Sequence, residues 1–281
     1  MSPSVGAGPR SRGLPGFLEV DLGPGARGGF TTRAGGVSTG PYAAAEGGGL
    51  NLGPHVGDDP AAVRENRERL RGALGVEPVW MRQVHGARVR VVTGPDEART
   101  EPPEGDAVLA PPGTGVAPAV MVADCIPLLL AHCSGAVAAA HVGRGGLVAG
   151  VVEAVVAGLE EVGAAPDGLV AVVGPSVCGR CYEVPDRMRA DVAAQVPAAW
   201  ATTSWGTPSL DLPGGVAARL AQLGVGEVRQ VGLCTVEDER FYSYRRAGTG
   251  GAQPATGRFA GVVAQRTDTP TEKPPARRPL V

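Results

Sequence analysis

Two apolar runs, residues 119–123 and 126–131, stand on either side of one Asp124-Cys125 pair. Uninterrupted runs of this length read as buried strands. Pro127 removes a ladder donor beside the pair. The backbone therefore leaves its sheet at this point and exposes a carboxylate and a thiol between two buried strands. Any fold for this chain has to bury both runs and still open a break between them.

The remaining pattern supplies partners for those strands. Further short apolar strands are expected at about 79–84, 88–92, 136–142, 169–173 and 228–233. Helices are expected at about 60–74, 147–162 and 213–223. The first starts at Asp58 or Asp59 as N-cap with Pro60 behind it, and stops before Gly75. Its Val63, Leu70 and Leu74 face a run of Arg and Glu, so it reads as a solvent-exposed helix. The 147–162 helix places Leu147, Val151, Val155, Leu159 and Val162 at spacings of three and four. Strands alternating with helices give an α/β fold with mixed sheets. One domain over residues 16–266 is expected, with a flexible N-terminus (1–15) and a proline-rich disordered tail (267–281).

Composition narrows the function. Hydrophobic residues are 43% and charged residues 19% of the 281, enough for a packed core. Glycine (44) and proline (26) together approach a quarter of the chain, which suits a loop-rich globular enzyme. The net charge is −2 and no basic stripe exists, which argues against nucleic acid as a partner. The only lysine, Lys273, lies in the tail, excluding a Schiff-base or P-loop lysine from the body. No stretch reads as a membrane span or a secretory signal, and five cysteines are an odd number. A cytoplasmic protein is expected.

Three places join a reactive side chain to a turn. Gln83-Val84-His85-Gly86 ends a strand, and alone reads more readily as a surface or capping histidine. Asp124-Cys125 has an inert, buried-thiol reading, but exposure at the break favours a working thiol. His141 ends the run Ala138-Ala139-Ala140 and opens a glycine-rich turn, residues 143–146, at a helix start. Free backbone N–H groups there suit an anion, although the spacing is neither the Rossmann nor the Walker pattern. His85, Cys125 and His141 together form a legitimate His₂Cys zinc set with a fourth position open. The same residues can instead serve as a metal-free Cys–His nucleophilic pair. Cys178 and Cys181 form a single CxxC with no second pair and no nearby histidine, and read as a structural loop. Cys133 and Cys234 read as buried filler.

The order of motifs resembles the YfiH-type purine nucleoside phosphorylases, also called laccase-domain or polyphenol-oxidase-family proteins. The likeness runs from Phe30-Thr31-Thr32-Arg33 and Asn51-Leu52-Gly53 through Gln83-Val84-His85-Gly86, Gly105-Asp106-Ala107 and Ala123-Asp124-Cys125 to Ala140-His141. It continues through Cys181-Tyr182-Glu183-Val184, Cys234-Thr235, Phe241-Tyr242-Ser243-Tyr244-Arg245-Arg246 and Thr256-Gly257-Arg258. Residues 28–264 are covered. The resemblance implies a layered α/β sandwich and a zinc site at His85, Cys125 and His141, with copper as another possible occupant. It implies phosphorolysis of adenosine, inosine and 5′-methylthioadenosine, with adenosine deaminase activity alongside. A zinc-activated water is what deamination at purine C6 requires.

Arg33, Asn51, Asp124 and Arg144 are the candidate substrate contacts, with Arg144, Arg33 and the 143–146 turn proposed for phosphate. Many members read His-Ala-Gly-Trp-Arg-Gly where this chain has His141-Val142-Gly143-Arg144-Gly145-Gly146, so the cation is displaced by one position. The segment 248–255 is longer than usual and suggests an extra loop. Four histidines without a His-x-His pair cannot build a multicopper cluster. The expected partners are a purine nucleoside and phosphate, acting on a monomer. A cysteine hydrolase or deamidase is the rival enzyme, and a non-catalytic binding module the third reading.

Overall fold

The computed structural model describes residues 14–97, 101–248 and 255–266. The expected mobile N-terminus, the tail and most of the 248–255 loop thus lie outside the described residues, Leu14, Pro15, Gly248 and Ala255 apart.

A five-stranded sheet has the order β1 (Leu18–Val20), β2 (Ala26–Phe30), β13 (Phe259–Gln265), β6 (Val116–Val122), β3 (Glu77–Val79). A six-stranded sheet has the order β12 (Glu227–Gln230), β9 (Leu169–Val173), β7 (Ile126–His132), β8 (Val137–Val142), β5 (Ala107–Ala110), β4 (Val89–Val91). Both sheets mix parallel and antiparallel pairs. A small ribbon of β10 (Trp200–Thr202) and β11 (Pro208–Leu210) completes the strands.

Alternation along β7 and β8 shows how the layers stack. Leu129 and Ala139 point into a core shared with Phe30, Val120 and Val263 of the five-stranded sheet. Leu128, Leu130, Ala138 and Ala140 point the other way, onto α2 (Arg144–Ala149), α3 (Val151–Glu161) and α5 (Leu212–Gln222). On the far side of the five-stranded sheet, Leu70 and Leu74 of α1 (Pro60–Leu74) pack on Ala117, Ala119 and Ala260. The result is a helix–sheet–sheet–helix sandwich. Strands covered on both faces read as continuous apolar runs, as they do here.

The opening sequence feature has a topological meaning. β6 belongs to one sheet and β7 to the other, so residues 123–125 carry the chain between the two layers. Pro127 sits opposite His141 of β8, whose amide donates away from it to the Asp106 carbonyl, so this pair carries no ladder bond for a proline to remove.

Several expectations need correction. The strand expected at 79–84 is confined to Glu77–Val79. Beyond it the Gln83 amide both donates to and accepts from the Met121 backbone at 2.8 Å, replacing a strand with one side chain. The 147–162 helix is two helices, α2 and α3, broken at Gly150, which adopts a left-handed φ of 88°. The 228–233 strand ends at Gln230. Asp59 is the N-cap of α1, accepting from the Ala61 amide. Cys133 is exposed rather than filler.

Candidate functional site

His85, Cys125 and His141 converge where the ends of the two sheets meet. One ligand atom from each lies within 4.8 Å of the others. The rings of His85 and His141 meet edge to face at 4.7 Å, and Cys125 Sγ sits 3.8 Å from His85 Nε2.

The residue that builds this arrangement is Asp106, which is fully buried. One oxygen accepts from the His85 amide at 2.9 Å, and the other from the Gly86 amide at 2.8 Å. The first oxygen also meets His141 Nδ1 at 2.8 Å. A carboxylate on Nδ1 fixes the tautomer and leaves Nε2 free for a ligand or a proton. Four hydrogen-bonding demands thus meet on one side chain, since the Val84 amide also points there.

The backbone at the site is held in an uncommon shape. Among the described residues, the non-glycine positions with positive φ are His85 (60°) and Asp124 (89°), and both line the same cavity. Such conformations cost about 1–3 kcal/mol each and persist only where surroundings impose them. At His85 the Asp106 carboxylate does this. At Asp124 the carboxylate accepts from Thr235 Oγ1 at 2.6 Å and from the Arg245 amide at 2.7 Å.

Burial alone would push the Cys125 thiol up, but the neighbouring His141 charge and hydrogen bonds from both imidazoles bring it down to about 6. Burial likewise works against the His141 charge, but the Cys125 thiolate and the Asp106 hydrogen bond lift it to about 9. The pair therefore favours thiolate beside imidazolium. Two imidazoles and a thiolate with carboxylate support suit zinc, so the donor set fits the implied metal.

The trio opens onto a cavity of about 1090 Å³, at the upper end for small-molecule sites. Arg67, Arg144, Arg245 and Arg258 line it. Among the described residues, none of the four forms an ion pair with a carboxylate, whereas Arg82 in the same wall pairs with Glu104. Arg67 is brought down to about 10 by burial and remains charged at neutral pH. Its Nε donates to the Leu52 carbonyl at 3.0 Å while its guanidinium lies 4.6 Å from the Trp80 ring. Arg258 donates to the carbonyls of Thr256 and Gly257.

The structure does not bring two expected contacts to this cavity. The Arg33 guanidinium donates to the Ala43 carbonyl, lies over Tyr242, and lines a separate cavity. Asn51 is fully buried and spends its amide on Gly53, Asp58 and the Arg258 backbone. Asp124 and Arg144 do line the cavity. The glycine turn at 143–146 serves close packing: a Cβ at Gly143 would stand 2.8 Å from His85 Cδ2 and 3.0 Å from Cys125 Sγ. Sequence reasoning missed Asp106 and Arg67 as site residues, and left Arg245 and Arg258 without a role.

A family model described as multi-copper polyphenol oxidoreductase laccase matches residues 27–266. The chain belongs to the YfiH family. A Streptomyces griseus relative named purine nucleoside phosphorylase is 53% identical over 83% of this chain and 92% of its own length. A Streptomyces coelicolor relative of the same name is 54% identical over 85% and 95%. Among solved structures, a Neisseria meningitidis protein titled DUF152 aligns with TM-score 0.77 and 35% identity over 89% of this chain and 98% of that one. YlmD of Geobacillus stearothermophilus gives 0.76 and 31% over 86% and 92%. These matches bear out the layered α/β fold of a YfiH-family chain. The chain has four histidines, of which His85 and His141 are in the trio and His55 lines the same cavity, fewer than a multicopper cluster requires.

Proposed function

We propose that this YfiH-family chain is a zinc-dependent purine nucleoside phosphorylase acting on adenosine, inosine and 5′-methylthioadenosine, with adenosine deaminase activity in the same cavity. The observation that carries the reading is one cavity holding both a His₂Cys donor set and four arginines without carboxylate partners. Uncompensated guanidiniums in a partly buried wall suit a phosphate dianion. The name carried by the Streptomyces relatives supports the same assignment.

In phosphorolysis a phosphate oxygen bonds to ribose C1′ while the bond from C1′ to the purine nitrogen breaks. The electron pair leaves on the base, which takes up a proton. The transition state carries positive charge on the ribose, so the protein's task is to hold an anion in line and orient the sugar. Arg67, Arg144, Arg245 and Arg258 neutralise and aim the phosphate. Both oxygens of Asp124 already accept hydrogen bonds, which suits an acceptor for a ribose hydroxyl better than a donor to the purine. Trp80, Tyr182 and Tyr244 offer ring faces for the base. His85, Cys125 and His141 would hold zinc, which when bound would supply Lewis acidity. The five cysteines are all free, in keeping with a reducing, cytoplasmic setting, and the chain is read as acting as a monomer.

Purified protein incubated with inosine should release hypoxanthine and ribose 1-phosphate only when phosphate is present. Release that is absent, or indifferent to phosphate, removes the reading. Cys125→Ala should lose the zinc held by the His₂Cys set, about one ion per chain, together with turnover; an undiminished zinc content would strike Cys125 from the ligand set. The lowered Cys125 thiol favours one rival, a metal-free cysteine hydrolase or deamidase. Metal analysis with and without Cys125→Ala separates the two, since in the rival the substitution leaves the zinc content unchanged.

A further inference from the structure

The CxxC of this chain does not stand alone in three dimensions. Cys178, Cys181, Cys234 and Glu237 each offer a ligand atom, and all four atoms lie within 4.8 Å of one another. Around zinc with sulfur bonds of about 2.3 Å, neighbouring ligands of a tetrahedron sit about 3.8 Å apart, so only small side-chain movements separate this cluster from a bonded shell.

The backbone prepares the cluster. The Cys181 and Tyr182 amides both donate to the Cys178 carbonyl at 3.0 Å, closing the CxxC into a tight turn. The Cys178 amide points at Cys234 Sγ from 3.5 Å. The second loop is tied to the first where the Ser176 amide donates to the Leu233 carbonyl and the Thr235 amide to the Ser176 carbonyl. Asp238 donates back to the Cys234 carbonyl at 2.8 Å, turning Glu237 towards the sulfurs. Cys181 Sγ lies 3.5 Å from Glu237 Oε1.

Cys181 and Cys234 are buried, Cys178 is half-buried, and the Glu237 carboxylate reaches solvent. Three sulfurs and a carboxylate packed together carry the wrong balance for a protein interior. Burial and mutual repulsion push the Cys178 and Cys181 thiols up, and the nearby cation, Arg180, is a surface partner of Glu237 at 3.1 Å. A disulfide between any two of the sulfurs would leave the third, and the carboxylate, without a purpose. A soft divalent cation uses all four.

We propose that Cys178, Cys181, Cys234 and Glu237 form a second, structural zinc site, closed by four protein ligands and independent of the phosphorylase assignment. On binding, the three thiol protons pass to solvent and the thiolates and carboxylate bond the ion. The site clasps the two loops that present the cavity's Val177 and Tyr182 and the Thr235 hydroxyl bonded to Asp124. Its role is to hold that wall, not to touch substrate.

The test uses the full chain carrying Cys125→Ala, so that the His₂Cys set cannot report. This protein should retain about one zinc per chain by elemental analysis. Replacing the zinc with cobalt(II) should give an intense sulfur-to-cobalt charge-transfer band, and adding Cys133→Ser should leave the band unchanged. Adding Cys178→Ser or Cys234→Ser should abolish both zinc and band, and Glu237→Ala should weaken zinc binding about 10-fold or more in chelator competition. A metal-free Cys125→Ala protein, a cobalt spectrum without the sulfur band, or an unchanged affinity in Glu237→Ala overturns the four-ligand site. So does a disulfide among these three cysteines in protein purified under reducing conditions. The cobalt spectrum needs no further cysteine to be removed, so it decides the matter even where the serine variants do not fold.

Discussion

At the scale of single residues, one carboxylate organises the candidate centre. Asp106 accepts from the His85 and Gly86 amides and fixes His141 through Nδ1. Asp106→Asn keeps the shape but replaces one acceptor oxygen with a donor, so it turns a hydrogen bond into a repulsion. Zinc affinity should fall about 10–100-fold, read by chelator competition, with the fold retained by circular dichroism. Unchanged affinity would show that the imidazole needs no such support. The trio itself was legible in the sequence because each member sits beside a turn signal: Gly86 after His85, Pro127 after Cys125, Gly143 after His141. Asp106 was not legible as an organiser, since its partners come together only when β5 and β8 pair. Arg33 and Asn51 misled for the opposite reason. They belong to motifs of the right order, yet their polar atoms are consumed by neighbouring loops.

At the scale of elements, α1 and the turn into α2 teach different lessons. Asn66 and Arg67 lie within a run of Arg and Glu, and the solvent-exposed reading of α1 holds for most of its surface. Asn66 is nevertheless buried, bonding to Ser38, Gly49 and Asn51, and Arg67 turns to the cavity wall. Counting apolar residues cannot reveal a polar side chain turned inward to satisfy loop carbonyls. Two alanine substitutions expose the contrast between elements. Gly72 lies in α1 with nothing within 4 Å of a new Cβ, so Gly72→Ala should stabilise the protein by about 0.5–1 kcal/mol, seen as a raised unfolding midpoint. Gly143→Ala puts its methyl 2.8 Å from His85 Cδ2, so zinc affinity and turnover should both fall at least about 10-fold. A fully active Gly143→Ala protein would mean that His85 moves freely.

At the scale of the whole molecule, the two sheets share one interior. Leu129 is fully buried in the core between them and does not line the cavity. Leu129→Ala should cost about 2–5 kcal/mol of stability, measured by denaturant unfolding, while the KM for nucleoside stays unchanged. Loss of substrate binding without loss of stability would contradict the division between scaffold and site. Alternating strands and helices were legible in the residues and the layered sandwich in the family resemblance, but which strands belong to which sheet was not. Only the pairing shows that the break at Asp124-Cys125 carries the chain from one sheet to the other.

Among the described residues, the cavity wall sets five arginines against two carboxylates, Asp124 and Glu101, and the Cys125 thiolate. Such an imbalance projects a positive potential beyond the cavity mouth, where it draws negatively charged solutes inward before any contact forms. Capture of inorganic phosphate should therefore slow as ionic strength rises, while capture of an uncharged nucleoside should hardly respond. Stopped-flow association rates across a salt series would separate the two arrivals, and equal slopes would mean that the guanidiniums act only after docking.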